Sequence, residues 1–511
     1  MNAALVCLGG LAIFALGYRF YSRFLADRVF ELRADEPVPS RELEDGVDYV
    51  PTRKHVLFGH HYASIAGAAP IIGPAVAVVW GWVPAILWVV LGTVFMGAVH
   101  DFSTLVMSIR YGGRSVGSIV ADVIGPRTRV LFLLVIFFLV MLVISVFAKA
   151  IASLFINQPG TVIPINFEIV VAIAIGWWCY KRERGLFWPS VAALVSLYAM
   201  VWVGYEVPVE LGGLFGDQTH TVWVIALLGY SFVASTLPVW TLLQPRDYIN
   251  SHQLLVGLAA LIAGIMVAQP AMQAPAFSSG PADAPGWFPF LFVTIACGAI
   301  SGFHGLVASG TTSKQVACAT DARAIGYGGM LGEGTLALIA TLAVSAGLAD
   351  FAGHYPDFAT AARSGVVNFV SGAGSFLVAL GLPRGPSEVV VSVLVISFAA
   401  TSLDTGVRIQ RYILHELGAI YDVKLLANRY AAALIAVVLP LALILGGKAG
   451  ELWHLFGSSN QLLAGLSLTV VTVWLYRLGR PWIYAGLPML AVLVVAGIAM
   501  ASNLGSFIDR G

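Results

Sequence analysis

The chain has 511 residues, of which 59% are hydrophobic and only 11% charged, against about 25% charged in soluble domains. With a mean hydropathy of +0.86 it reads as a polytopic membrane protein, so its bulk partner is a lipid bilayer and its length does not divide into soluble domains. A net charge of +1 gives no reason to expect nucleic acid as a partner, and the scattered Cys7, Cys179, Cys297 and Cys318 form no CxxC, hence neither a disulfide framework nor a zinc site.

The opening run from Ala3 to Tyr18 is apolar and then meets Arg19, Arg23 and Arg28. A signal peptide would carry its charge before the apolar run, so this is read as an uncleaved span. Residues 19–59 are rich in Arg and read as a cytoplasmic linker.

The next stretch, Gly59 to Trp82, is long enough to cross a bilayer but cannot be one unbroken helix. Pro70 and Pro74 each remove a backbone donor, and Gly67 and Gly73 lower the cost of non-helical backbone. Broken backbone at membrane depth survives only where it is buried in protein or lines a polar cavity. Discontinuous helices of this kind form substrate sites in secondary transporters. Gly67, Ala68, Ala69, Pro70 and Gly73 are therefore candidate substrate-binding residues, with His60 and His61 just below them.

Further apolar runs lie near 84–109, 128–153, 166–180, 188–204, 222–243, 253–270, 288–313, 325–349, 388–403, 428–446, 455–476 and 482–501. With the first two, they predict about 14 transmembrane helices. Basic residues gather in alternate loops: Arg110 to Arg129, Lys181 to Arg184, Arg246, Lys314 and Arg323, Arg408 to Lys424, and Arg477 with Arg480. That alternation places both termini outside. Residues 358–381 are helical in pattern but carry Arg363 and Asn368, and counting them as a span would invert every later loop. They are read as an external or re-entrant helix.

Five spans run from His60 to Gly204 and five more, oppositely directed, from Val222 to Leu403. That is the pattern of an inverted repeat. The second set begins with a span carrying Pro238 behind Ser235 and Thr236. These three are taken as the second half of the substrate site. The division is thus 1–59, an extra span and linker; 60–204 and 222–403, the two repeats; and 404–511, a linker and three extra spans.

Ionisable residues inside spans are costly and functional by default. His100 stands ten residues before Arg110, about 15 Å deep at 1.5 Å per residue. His304 is as far from Lys314, and Glu333 from Arg323. Asp101 lies beside His100, and Asp404 near the end of its span. Histidine changes charge near neutral pH, so His60, His61, Asp101, His304, Glu333 and Asp404 make a candidate proton path. No enzyme is expected: Gly113–Gly117 matches GxSxG only in a basic loop between helices, and HExxH is absent. No metal-ligand spacing and no cofactor motif are seen.

Several long words in the chain are similar to the carbon starvation protein A (CstA) family. They are FGHHYASIAGAAPIIGP at 58–74, GAVHDF at 97–102, LPVWTLLQPRDY at 237–248, FPFLFVTIACGAISGFHGLVASGTTSKQ at 288–315, TDARAIGYGGMLGEG at 320–334, TSLDTGVRIQRYILHEL at 401–417 and FGSSNQLLAGL at 456–466. The resemblance implies a secondary transporter of the amino acid–polyamine–organocation superfamily, all-α, with a LeuT-like 5+5 inverted-repeat core. It implies a small-molecule substrate, a peptide or pyruvate, taken up across the inner membrane in nutrient limitation, with proton coupling for the pyruvate carriers. Two other readings remain open at this point. One is a sodium-coupled carrier of a small carboxylate or amino acid, with oxygens from Ser309, Thr311 and Thr312; the other is a membrane sensor that binds without transporting.

Overall fold

The computed structural model describes residues 1–182, 185–446 and 452–508; Arg184 of the basic loop above lies outside them. The architecture is all-helical. The principal helices are α1 (Ala3–Phe30), α2 (Lys54–Ile65), α3 (Ala69–Trp80), α4 (Trp82–Arg110), α5 (Pro126–Asn157), α6 (Pro159–Cys179), α7 (Phe187–Glu206), α8 (Gly212–Thr236) and α9 (Leu243–Ala268). There follow α10 (Trp287–Thr294), α11 (Ala296–Ala299), α12 (Gly302–Gly310), α13 (Ala319–Ala346), α14 (Phe358–Val378), α15 (Arg384–Tyr421), α16 (Arg429–Leu445), α17 (Leu452–Arg477) and α18 (Ile483–Gly505).

Ten of these helices are long and apolar enough to cross a membrane, or eleven with α2 and α3 taken as one bent span. The chain is a multi-pass membrane protein. The runs at 288–313, 428–446 and 455–476 are helical too: the first is divided into α10, α11 and α12, the second is the 17-residue α16, and the third is α17.

The core is built on α5 and α15, which pack along each other. The most apolar window of α15 is 94% buried, so this helix is walled in by protein rather than lipid. Segment 358–381, read as an external or re-entrant helix, forms α14, which packs on α3, α13 and α15. It buries Phe369 and Phe376 among them.

Two helical runs are broken. α2 and α3 meet at 47°. Ala66 leaves helical geometry (φ −74°, ψ 62°), and Pro70 opens α3 where a missing N–H costs nothing. Pro74, expected to interrupt the backbone, instead sits inside α3; the break is confined to 66–68. The second break lies at Ile300 and Ser301, both extended, between α11 and α12.

The expected interruption at Pro238 is different in kind. α8 ends at Thr236 and α9 starts at Leu243, so Pro238 occupies a turn between two helices and not the middle of one span. Arg408 donates to the carbonyl of Leu237 (2.6 Å), just before the proline, and to that of Ala234 (3.3 Å), which also accepts from the Leu237 N–H. The sequence run 222–243 merged the end of α8 with this turn because both are apolar.

Candidate functional site

The helices that flank the two breaks pack on each other: α3 on α10 and α11, and α2 on α12. Gly73 of α3 lies against the backbone of Thr294, where an added Cβ would come within 2.3 Å of its carbonyl oxygen. Asn460 of α17 holds the second break. Its Oδ1 accepts from the N–H of Phe303 at 3.0 Å, and its Nδ2 donates to Ser301 Oγ at 3.0 Å. Thr93 donates to the carbonyl of Gly298 at 3.1 Å. Thr93 opens a π-helical turn, Thr93–Gly97, just before His100 and Asp101. Such turns insert one residue into a helix and frequently mark functional sites.

Below the second break stands a chain of ionisable side chains. His100 Nδ1 lies 2.8 Å from Asp101 Oδ1, and His304 Nδ1 lies 3.0 Å from Asp101 Oδ2. His304 Nε2 lies 3.1 Å from Glu333 Oε2, close but without hydrogen-bond alignment. His304 of α12 therefore sits between two carboxylates, from α4 and α13. Neutral imidazole has one N–H and one lone pair; only imidazolium offers two donors. With both nitrogens facing carboxylate oxygens, the trio calls for one further proton, on His304 or on a carboxyl. Gly305 makes the fit possible, since a Cβ there would come within 2.8 Å of the His100 ring. All four side chains are at most 1% exposed, so the site is closed to water in this state.

The two histidines of α2 face different partners. His61 Nδ1 is 2.9 Å from Thr312 Oγ1, beside the trio, and its Nε2 has no hydrogen-bond partner. His60 Nδ1 is 2.6 Å from Asp247 Oδ2 on α9. Asp404 joins that second group: it accepts from Ser231 Oγ at 2.8 Å and is paired with Arg246.

The model of the family described as "Carbon starvation protein CstA" matches residues 2–352 and 345–499. The chain belongs to the CstA family. The peptide transporter CstA of Helicobacter pylori strain J99 is 34% identical, over 97% of this chain and 81% of that protein. The pyruvate/proton symporter BtsT of Escherichia coli K12 is 37% identical, over 68% of this chain and 49% of that protein. The solved structure of MhsT in complex with L-phenylalanine aligns over 88% of this chain and 97% of that chain, at 13% identity and a TM-score of 0.49.

In this CstA-family chain, then, the fold joins Asp101, His304 and Glu333 in one cluster with His100 and His61 at its edge. It puts His60 and Asp404 in a separate cluster. Gly67 and Ala68 lie in the first break, and Ala69, Pro70 and Gly73 in the opening turns of α3, all buried. Ser235 is buried but donates to Phe232 O at 2.9 Å, and Thr236 donates to Val233 O at 2.8 Å. Both hydroxyls serve the end of α8. The oxygens of Ser309, Thr311 and Thr312 do not converge: they bond to Gly305 O (2.6 Å), Val307 O (2.9 Å) and His61 (2.9 Å) respectively. Among the described residues, no three His, Cys, Asp or Glu side chains are grouped as a metal site.

Sequence reasoning missed Arg246, Asp247, Asn460 and Ser301. Arg246 was read as a marker of a cytoplasmic loop, but it is 2% exposed and bonded to Asp404. The available signal was the adjacent Asp247: a charged pair inside a shared motif, followed by an apolar run.

Proposed function

We propose that the chain is a secondary active transporter of the inner membrane. It moves pyruvate or short peptides inward, coupled to protons, in nutrient limitation. The observation that carries the reading is His304 held between Asp101 and Glu333 at the foot of a broken span, a proton site beside an interrupted backbone. The amino ends of α3 and α12 begin at the two breaks, and helix amino ends favour carboxylates. A carboxylate is the group that pyruvate and peptides share. The names of the relatives support the same substrate class.

We further propose 14 spans with both termini outside, adding the broken α10–α12, α16 and α17 to the eleven. A five-plus-five inverted repeat fits the packing best in a register that differs from 60–204 and 222–403. In it, α2–α3, α4, α5, α8 and α9 correspond to α10–α12, α13, α15, α16 and α17, with α6 and α7 inserted as a hairpin. Supporting this register, each repeat opens on a broken span. In addition, α8 and α16 each pack on both α5 and α15, and α9 and α17 each pack on the broken span of their own repeat. The substrate site then lies between Gly67–Pro70 and Ile300–Ser301, not at Ser235–Pro238.

The test is uptake into proteoliposomes, with pyruvate, lactate, and di- and tripeptides offered under a proton or a sodium gradient. The expected result is proton-driven accumulation that His304→Ala abolishes while substrate exchange at equal pH persists. Normal, fully coupled uptake by both His304→Ala and His61→Ala at every pH would falsify the assignment. A sodium-dependent, pH-insensitive uptake would refute proton coupling.

A further inference from the structure

A second buried polar cluster lies beside α2, and the Asp101–His304 relay does not use it. Successive residues of a helix point about 100° apart, so His61 faces the relay while His60 faces α9. There His60 meets Asp247, and Asp247 lies 3.8 Å from Arg246. Arg246 donates to Asp404, to Tyr230 and, at 3.0 Å, to Thr401. Two groups able to carry positive charge, Arg246 and His60, thus answer two aspartates.

A third carboxyl has no such answer. Glu168 of α6 is 4% exposed. Its Oε2 accepts from Ser397 Oγ at 2.9 Å, and its Oε1 has no hydrogen-bond partner. The titratable groups that face it are Arg246 and Asp247 of α9 and Tyr230 of α8; α15 presents Ser397. No ion pair to Glu168 is formed, and the guanidinium in its neighbourhood is committed to Asp404. With no ion pair, an ionised carboxyl held by the Ser397 hydroxyl and the neighbouring Asn250 amide is far costlier at such burial than a neutral one.

The site is also connected. Asn250 Nδ2 donates to Ser397 O (3.3 Å) and to Thr401 Oγ1 (3.0 Å), and Thr401 accepts from Arg246. This ladder of Ser397, Asn250 and Thr401 leads from Glu168 to the Arg246–Asp404 pair, so that movement of either alters the field at the other.

We propose that Glu168 is a second proton-binding site, separate from the His304 relay and occupied by a proton in this closed state. The proton comes from water when α6 and α15 part on one side, and returns to water on the other. The binding site stands without reference to the cargo; only its contribution to coupling rests on the carrier reading.

The test is infrared spectroscopy of the purified full-length chain in lipid nanodiscs near neutral pH, reading the carbonyl stretch of protonated carboxylic acids. Glu168→Gln is expected to remove one such band. Ser397→Ala is expected to shift that band, because the hydroxyl donated to Oε2 is gone, and it keeps the proposal testable should Glu168→Gln fail to fold. A wild-type carboxylic-acid spectrum in Glu168→Gln, or an unshifted one in Ser397→Ala, overturns the proposal. Neither readout requires transport. A chain that loses the band yet moves no pyruvate or peptide in its wild-type form would count against the carrier reading and not against this site.

Discussion

Replacing Arg246 with methionine removes the one guanidinium of the second cluster while keeping much of its length and apolar stem. Asp404 then keeps the 2.8 Å bond from Ser231 and the Tyr230 hydroxyl beside it, and Asp247 keeps His60 at 2.6 Å. Tyr230 and Thr401 each lose a charged donor. Breaking a buried pair by deleting one partner costs about 3–5 kcal/mol, because the survivor stays charged and buried. At 1.4 kcal/mol per tenfold, that is roughly two to four orders of magnitude in the folded-to-unfolded ratio. Asp404→Asn should cost a similar amount by leaving Arg246 uncompensated. The double variant, Arg246→Met with Asp404→Asn, has neither charge and should recover a coupling energy of about 2 kcal/mol or more. Unfolding in mixed micelles, followed for the wild type, both single variants and the double, measures this directly. If the two single effects simply add, within about 0.5 kcal/mol, the pair is not what holds α9 to α15 and the reasoning fails.

Three other expectations concern the breaks and a loop cap. Gly73→Ala sets a methyl 2.3 Å from the Thr294 carbonyl; with backbone on both sides it should cost about 1–3 kcal/mol, seen as a lower melting temperature, whereas Gly497→Ala, with open space around it, should melt as wild type. Asn460→Ala leaves the Phe303 N–H without its 3.0 Å acceptor, a loss of about 1–3 kcal/mol that calorimetry would register; an unchanged melting curve contradicts the role given to Asn460. Asp283, in the loop before α10, accepts from the N–H groups of Phe358 (2.9 Å) and Ala359 (3.1 Å), and these bonds hold its carboxyl below the usual carboxylate range. A depressed folded value means the cap is fully present above the ordinary aspartate range and is lost as pH falls through the folded value. Protection factors at the start of α14, corrected for the intrinsic exchange rate, should therefore fall in acid, and Asp283→Asn should flatten that dependence; a variant with the same pH profile would dismiss the cap.

The apolar runs, the break at Gly67–Pro70 and the buried ionisable residues were legible in the sequence, because each is a local fact. Twenty apolar residues partition into lipid wherever they sit, proline removes its own donor, and a charge at membrane depth is costly whatever its neighbour. Which of those residues meet was not legible. Nothing local separates His60 from His61, yet one faces Asp247 and the other Thr312. Pro238 and Ser301 show why. The proline looked like a broken span but ends a helix whose carbonyls Arg408 takes. The break at Ile300–Ser301 carries no proline, and it exists because Asn460, far along the chain, supplies the hydrogen bonds that a helix would have made. Arg246 likewise was read as a span-end charge until Asp404, 158 residues away, became its partner. Composition and spacing report what a segment requires of its surroundings; only tertiary packing decides which distant side chain meets the requirement.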